Sequence, residues 1–378
     1  MLYIMKKISF HSFIMCVLLF LFFNCAQKQV EKNQWLLERF WESSTMKNES
    51  LFFIQENESE SPGASLLFMP EHVLSVKSAT EETTYIEGKD YISRPGSRVI
   101  TLTRNTSIPF KKKEEMYPPE GAPQSIKGYR GGNSNLFFSE GHIFHDLQVA
   151  VTYTHEDKWR GYIPRYAGEN LPNTVKKLNN HEPVNLVLFG NSISEGYNAS
   201  AHTGAPPFMP PYGKLVVINL EDACNTKINF SNQSLAGKRT DWGIENIEKV
   251  INENPGLVII AFGMNDASGR LSPEKYSSNI RQMINIVKES CPSSEFILVA
   301  TMTGNPEWTG SSPELYPQYR DALKKLCVEG IVLADMTSVW TEMLKYKKFA
   351  DITGNGVNHP NDFGHRLYAE VILGLIIK

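Results

Sequence analysis

Beyond Asn180 the chain alternates short apolar runs with helical patterns five times within about 200 residues, and few folds accept that rhythm. The runs Val184–Phe189, Lys227–Asn232, Leu257–Phe262, Glu295–Thr301 and Ile331–Asp335 read as strands, β-branched and bounded by polar turns. Helical patterns fall near Tyr212–Ala223, Asp241–Asn252, Pro273–Ser290, Pro313–Val328 and Val339–Phe349, with a last amphipathic one at about Asp362 to Ile377. Pro273 after Ser272 and Pro313 after Ser312 stand where helices start. Strand and helix in strict alternation predict a doubly wound α/β domain, its parallel sheet covered on both faces.

The preceding region has a different texture. From about Ser50, runs such as Ser65–Met69, Thr83–Ile86, Ser97–Thr103 and Leu147–Tyr153 are separated by Gly, Pro and Asn. Period-two patterning with turns at this spacing predicts a smaller all-β domain, a sandwich or jelly roll. A short helix is expected at Gln34–Trp41. The chain of 378 residues suits two domains, and 41% hydrophobic content provides for a sizeable core. The division expected is a signal peptide over 1–24, a tether with the short helix over 25–48, the β domain over 49–165, a connector over 166–183 and the α/β domain over 184–378. A formal charge of −3 offers no general attraction to nucleic acid. Lys111-Lys112-Lys113 is largely cancelled by Glu114 and Glu115 and reads as a solvated loop.

At the N-terminus, Lys6 and Lys7 precede an apolar run from Phe13 to Phe23 that is short for a bilayer span. Leu21-Phe22-Phe23-Asn24-Cys25 resembles a loose bacterial lipobox, which implies that Cys25 carries the lipid anchor of an exported lipoprotein. The remaining cysteines, Cys224, Cys291 and Cys327, have no metal-ligand spacing and are read as structural thiols.

The chemistry lies at strand ends. Asn185–Phe189 delivers Gly190-Asn191-Ser192 to the C-terminal edge of the sheet, where α/β folds bind ligands. Alone, Ser192 could simply cap the next helix. Three further motifs fall in corresponding places: Asn232-Gln-Ser-Leu-Ala-Gly237, Gly263-Met-Asn-Asp266 and Asn358-His-Pro-Asn361. In order, the four resemble the blocks of the SGNH, or GDSL-type, hydrolases. That resemblance implies a flavodoxin-like sheet, Ser192 as nucleophile and His359 as general base. It also implies Gly237 as a backbone donor and Asn265 as a side-chain donor to the oxyanion, with no metal and no cofactor. Serine hydroxyls need a base to react, and the tetrahedral intermediate needs preformed donors, so the residue types fit the chemistry.

One departure bears on mechanism. The family has an aspartate three residues before the histidine, and here that position is Gly356. Asp351 or a backbone carbonyl is left to orient His359. Asp266 and His365 are read as structural. Trp308, after the fourth strand, and Asn198, after the nucleophile, are candidates for contact with substrate. Active-site loops rich in Gly, Asn, Ser and Pro favour a small acyl group, acetyl above all, on a polar carrier such as a polysaccharide. The whole arrangement resembles two-domain bacterial carbohydrate esterases. The competing readings are a lipolytic acylhydrolase (a lysophospholipase or thioesterase) and a non-catalytic glycan-binding surface protein.

Overall fold

Strands β1 (Val184–Gly190), β2 (Ile228–Asn232), β3 (Leu257–Ala261), β4 (Glu295–Ala300) and β5 (Ile331–Asp335) form one parallel sheet in the order β2-β1-β3-β4-β5. A computed structural model describes residues 34–378 of the chain, and all statements here concern those residues. The order is the flavodoxin-like doubly wound one, and its direction reverses between β1 and β3. Every residue of β3 and β4 is buried, as expected of central strands covered by helices on both faces. The expected α/β architecture is therefore present.

Helix α1 (Tyr212–Cys224) packs on α5 (Asp362–Ile376), whose 15 residues are nearly all buried. Helix α2 (Pro273–Ser290) runs as read, from the Ser272 cap and Pro273. Helix α3 spans Leu315–Lys324, shorter than expected at both ends. Helix α4 (Met336–Met343) starts three residues before Val339 because Asp335, the last residue of β5, caps it by accepting from Ser338 N–H at 2.9 Å. The helix expected over Asp241–Asn252 forms as two pieces, Thr240–Glu245 and Glu248–Ile251. At the break the Asn246 side chain donates to Trp242 O at 3.0 Å, competing with the helix backbone.

The region before residue 155 is mostly strand. Thr45–Phe52, Gln148–Thr154, His72–Ser78 and Thr84–Tyr85 make a four-stranded antiparallel sheet, in which Thr45–Phe52 pairs with Gln148–Thr154. A five-stranded sheet holds Ile54–Gln55, Gly63–Ser65, Tyr91–Ser93, Val99–Leu102 and Lys111–Lys112. The first strand of the region starts at Thr45, ahead of residue 49. Lys111–Lys112 is an edge strand rather than a loop, with Lys111 paired to Glu115 at 3.2 Å. Of the helix expected over Gln34–Trp41 only Gln34 is helical: residues 36–39 carry no regular structure and 40–42 turn. There the Phe40 N–H donates to the Glu370 carboxylate, and its ring packs edge-on against Trp159, so tertiary partners replace helical ones. The connector carries its own helix, Pro172–Asn179, whose first amides donate to both Glu295 oxygens.

A buried seam joins the first strand to the chain just before α5. Phe52 N–H donates to Asp351 Oδ1 at 2.7 Å. Gln148 Nε2 donates to Ala350 O and Thr353 O, while Asn361 Nδ2 donates to Ser50 Oγ at 2.9 Å and Gln148 Oε1 at 3.0 Å. Lys347 and Glu49, both side chains fully buried, form an ion pair across it. Phe52, Ile54, Phe137, Phe144 and Ala350 make one apolar cluster beside these polar contacts.

Among the described residues no helix is long and apolar enough to cross a membrane. Cys25 and the proposed signal segment lie outside them. Cys224, Cys291 and Cys327 are free thiols.

Candidate active site

Ser192 follows β1 after Asn191, at the first residue of a one-turn helix, Ser192–Glu195, and is 5% exposed. Asn191, where the family usually has aspartate, caps that turn by accepting from Ile193 N–H at 3.2 Å. The turn ends at Gly196 in the left-handed region, and Gly196 and Tyr197 both donate to Ser192 O. This directs the chain away and leaves the serine hydroxyl facing the loop before α5.

His359 lies in that loop, where Thr353 bridges Pro360 and Gly354 N–H donates to His359 O at 3.0 Å. Asn355 organises the turn: its Oδ1 accepts from the N–H groups of Val357, Asn358 and His359. The structure brings His359 Nε2 to 2.9 Å from Ser192 Oγ. The Tyr197 ring stands edge-on to the imidazole, with centroids 5.2 Å apart. His365, fully buried, holds Tyr197 O at 3.0 Å through Nε2. Burial lowers His365 to about 4, so it is neutral and supports the site from behind.

Two side chains that the sequence did not assign to this place meet the other imidazole nitrogen. Asn198 Oδ1 lies 2.9 Å from His359 Nδ1, and Glu140 Oε2 lies 3.3 Å from it. Asn198, read as a substrate contact, is 4% exposed and sits behind the imidazole in a left-handed conformation (φ 63°). Asn355 Nδ2 lies 3.0 Å from Nδ1, with Glu140 Oε1 at 3.1 Å and Asn358 Oδ1 at 2.9 Å as its acceptors. Burial pushes the Glu140 carboxyl up, but contact with His359 and the Asn355 amide outweigh it and hold the group below its ordinary range.

Asp351 is not at the histidine. Its two oxygens accept from Phe52 N–H and Lys348 N–H in the seam, where turn geometry and the strand Thr45–Phe52 claim them. A side chain at Gly356 is excluded as well: a Cβ there would stand 2.7 Å from the Phe144 ring and 2.8 Å from Phe137 O. The segment that closes the family's aspartate position is thus the one that carries Glu140.

Gly237 has φ +74°, a conformation that glycine adopts without strain. Among the described residues neither the Ser192 nor the Gly237 N–H has a protein acceptor. Glu195 accepts from the neighbouring Ala236 N–H at 2.6 Å and fixes this loop. Asn265 Nδ2 donates to Lys238 O at 3.0 Å, tying the third strand's loop to the second's. Asp266 lies under them, accepting from Thr240 N–H and Oγ1–H and from Gly263 N–H; burial still holds its carboxyl above the ordinary value. Trp308 is partly exposed, with its indole N–H donated to Lys127 O at 3.3 Å. Its loop docks on the histidine loop through Asn305, which donates to Val357 O and Gly356 O, both at 2.8 Å. Among the described residues no three His, Cys, Asp or Glu side chains cluster to hold a metal ion.

Comparison with known proteins bears on the same stretch of chain. Residues 188–367 match the model of the GDSL-like Lipase/Acylhydrolase family. This stretch is a GDSL-like lipase/acylhydrolase domain. The GDSL domain therefore begins inside β1 and ends within α5, taking in all four motifs. A curated arylesterase from Vibrio mimicus is 26% identical over 106 residues, 28% of this chain and 49% of that protein; the chain spans about half of the relative's length. Among solved structures, a two-domain esterase (CEX) active on acetylated mannans is 22% identical, covering 56% of this chain and 54% of the other with a TM-score of 0.45. Axe2, an acetylxylan esterase from Geobacillus stearothermophilus, is 20% identical over 50% of this chain and 92% of its own, with a TM-score of 0.42. Lipase and acylhydrolase are the activities named in that family's description.

Proposed function

We propose that this chain is a serine esterase that removes small acyl groups, acetyl above all, from carbohydrate or similarly polar esters. The observation that carries the reading is the 2.9 Å approach of His359 Nε2 to Ser192 Oγ, with acceptors on the imidazole's far side. His359 takes the Ser192 proton as the oxygen attacks the acyl carbon, and the carbonyl electrons move onto its oxygen. The N–H groups of Ser192 and Gly237 and the Asn265 amide stabilise that oxyanion. The intermediate collapses as His359 returns its proton to the departing alkoxide, leaving acyl-Ser192 and a free hydroxyl on the carrier. A water molecule, deprotonated by His359, then attacks the acyl-enzyme, and the acid leaves as the proton passes back to Ser192.

Small-acyl preference is supported by the polar side chains round the nucleophile: Asn191, Asn198, Glu195, Asn232 and Asn265. Trp308 offers an aromatic face to a sugar ring. The lipid-anchored, exported location read from residues 1–25 belongs to the same proposal.

The test is acetate release from a panel of acetylated glycans, together with p-nitrophenyl esters of two and twelve carbons. Wild type should release acetate and prefer the short ester, and Ser192→Ala should do neither. Preference for the long ester would favour a lipolytic acylhydrolase. Equal, slow hydrolysis by both proteins would favour a glycan-binding protein.

A further inference from the structure

We infer that Glu140, supplied by the β-rich N-terminal region, is the negative charge that supports His359 during catalysis, in the place of the family's missing aspartate. The inference rests on the Ser192–His359 reading above. The sequence separation is 219 residues, and no part of the GDSL domain provides a carboxylate at this nitrogen among the described residues.

Three observations converge on the role. Glu140 Oε2 stands 3.3 Å from Nδ1, the nitrogen that carries the proton when Nε2 faces Ser192. Its other oxygen accepts from Asn355 Nδ2, a side chain itself fixed by three backbone amides, so the carboxylate is aimed rather than free. Its loop is anchored on both sides: Asn198 donates to Gly141 O at 3.0 Å, and Phe137 and Phe144 stack with centroids 4.7 Å apart.

Asn198 and Glu140 then divide the work of a triad acid. The neutral amide oxygen at 2.9 Å takes the Nδ1 hydrogen and sets the tautomer. The carboxylate opposes the positive charge that the imidazole acquires once it holds the Ser192 proton; Glu140 itself takes no proton. With its side chain 44% exposed against 7% for His359, solvent screens much of that attraction. The effect should therefore be well below that of a buried triad carboxylate. The other titratable groups that face this pair are His202, His365 and Tyr197.

Glu140→Gln keeps the size and the acceptor for Asn355 Nδ2 while removing the charge. On p-nitrophenyl acetate its kcat should fall about fivefold to tenfold, with KM changed by less than about twofold and the thermal midpoint unaltered. The acid limb of its pH–rate profile should move to lower pH, because a protonated imidazole no longer has a counter-charge. A merely structural role would move the melting point and not the limb. Ser192→Ala is assayed beside it. Activity surviving in Ser192→Ala would overturn the esterase mechanism itself. Loss there, with kcat and pH profile of Glu140→Gln equal to wild type, would overturn the assignment of Glu140 alone.

Discussion

Asn198 presents its Oδ1 to Nδ1 of His359 at 2.9 Å because both hydrogens of its amide nitrogen are taken, by Gly141 O and Gly354 O at 3.0 Å each. The side chain has no alternative orientation that keeps those bonds. Nδ1 must then carry the imidazole hydrogen, which leaves Nε2 as the acceptor toward Ser192. Removing this lock should be costly. Asn198→Gly accepts the φ of 63° and should lower kcat on p-nitrophenyl acetate roughly 10- to 100-fold. It also leaves two carbonyls short of a donor, for about 1–3 kcal/mol of stability. Kinetics and urea unfolding measure the two effects, and full activity in the variant would contradict the tautomer argument.

Asn265 is linked to the second strand's loop through Lys238 O, which keeps its remaining amide hydrogen available beside Gly237. Asn265→Ala should reduce kcat by about 100- to 1000-fold with little change in KM, the pattern of a donor used chiefly in the transition state. A rise in KM at constant kcat would instead assign it to substrate binding.

Asp351 serves the seam. Asp351→Ala leaves the Phe52 and Lys348 N–H groups without their acceptor and should destabilise the protein by roughly 2–4 kcal/mol. The folded fraction should retain wild-type kcat within about twofold, read from activity normalised to native protein. A loss of kcat without a loss of stability would return Asp351 to the histidine.

Glu370 in α5 is fully buried, and burial raises it to about 7 in spite of Arg366 at 3.8 Å. Because the folded state binds this proton more tightly, the stability it contributes is complete below about 4.5 and is lost as pH rises through 7. Glu370→Gln, which can still accept from Phe40 N–H, should gain up to roughly 3 kcal/mol relative to wild type between those limits. His365 acts in the opposite sense: its contribution is complete above about 6.5 and is lost as pH falls through about 4. The variant should therefore show a stability that climbs with pH where wild type is flatter. Denaturant midpoints at pH 4.5, 6 and 8 test this, and a constant difference across the series would refute it.

The sheet was legible because parallel strands buried on both faces leave continuous apolar runs, and β5 was bounded to the residue at Ile331–Asp335. The motifs around Ser192, Gly237, Asn265 and His359 stood out because each lies in a short local pattern between a strand and a helix. The support behind His359 did not. Glu140 lies in a Ser-Glu-Gly loop with no periodicity, and contacts distant in sequence, Phe137 and Phe144 on Gly356 and Asn198 on Gly141, bring it to the imidazole. Asn198 did carry a signal, since asparagine tolerates left-handed backbone, but that points to a turn and not to what the amide touches. The helix expected at Gln34–Trp41 stops at Gln34 for a similar reason, a distant carboxylate accepting from Phe40 N–H.

The seam between Phe52 and Asp351 spans 299 residues of chain. Contacts of that separation close late, after loop entropy has been overcome by everything between them. Upon dilution from denaturant, helical signal should therefore return well before hydrolysis does. The loop that carries His359 is thus held by a strand far from it along the chain. Until the two meet, Ser192 stands at the tip of a finished sheet without the imidazole beside it.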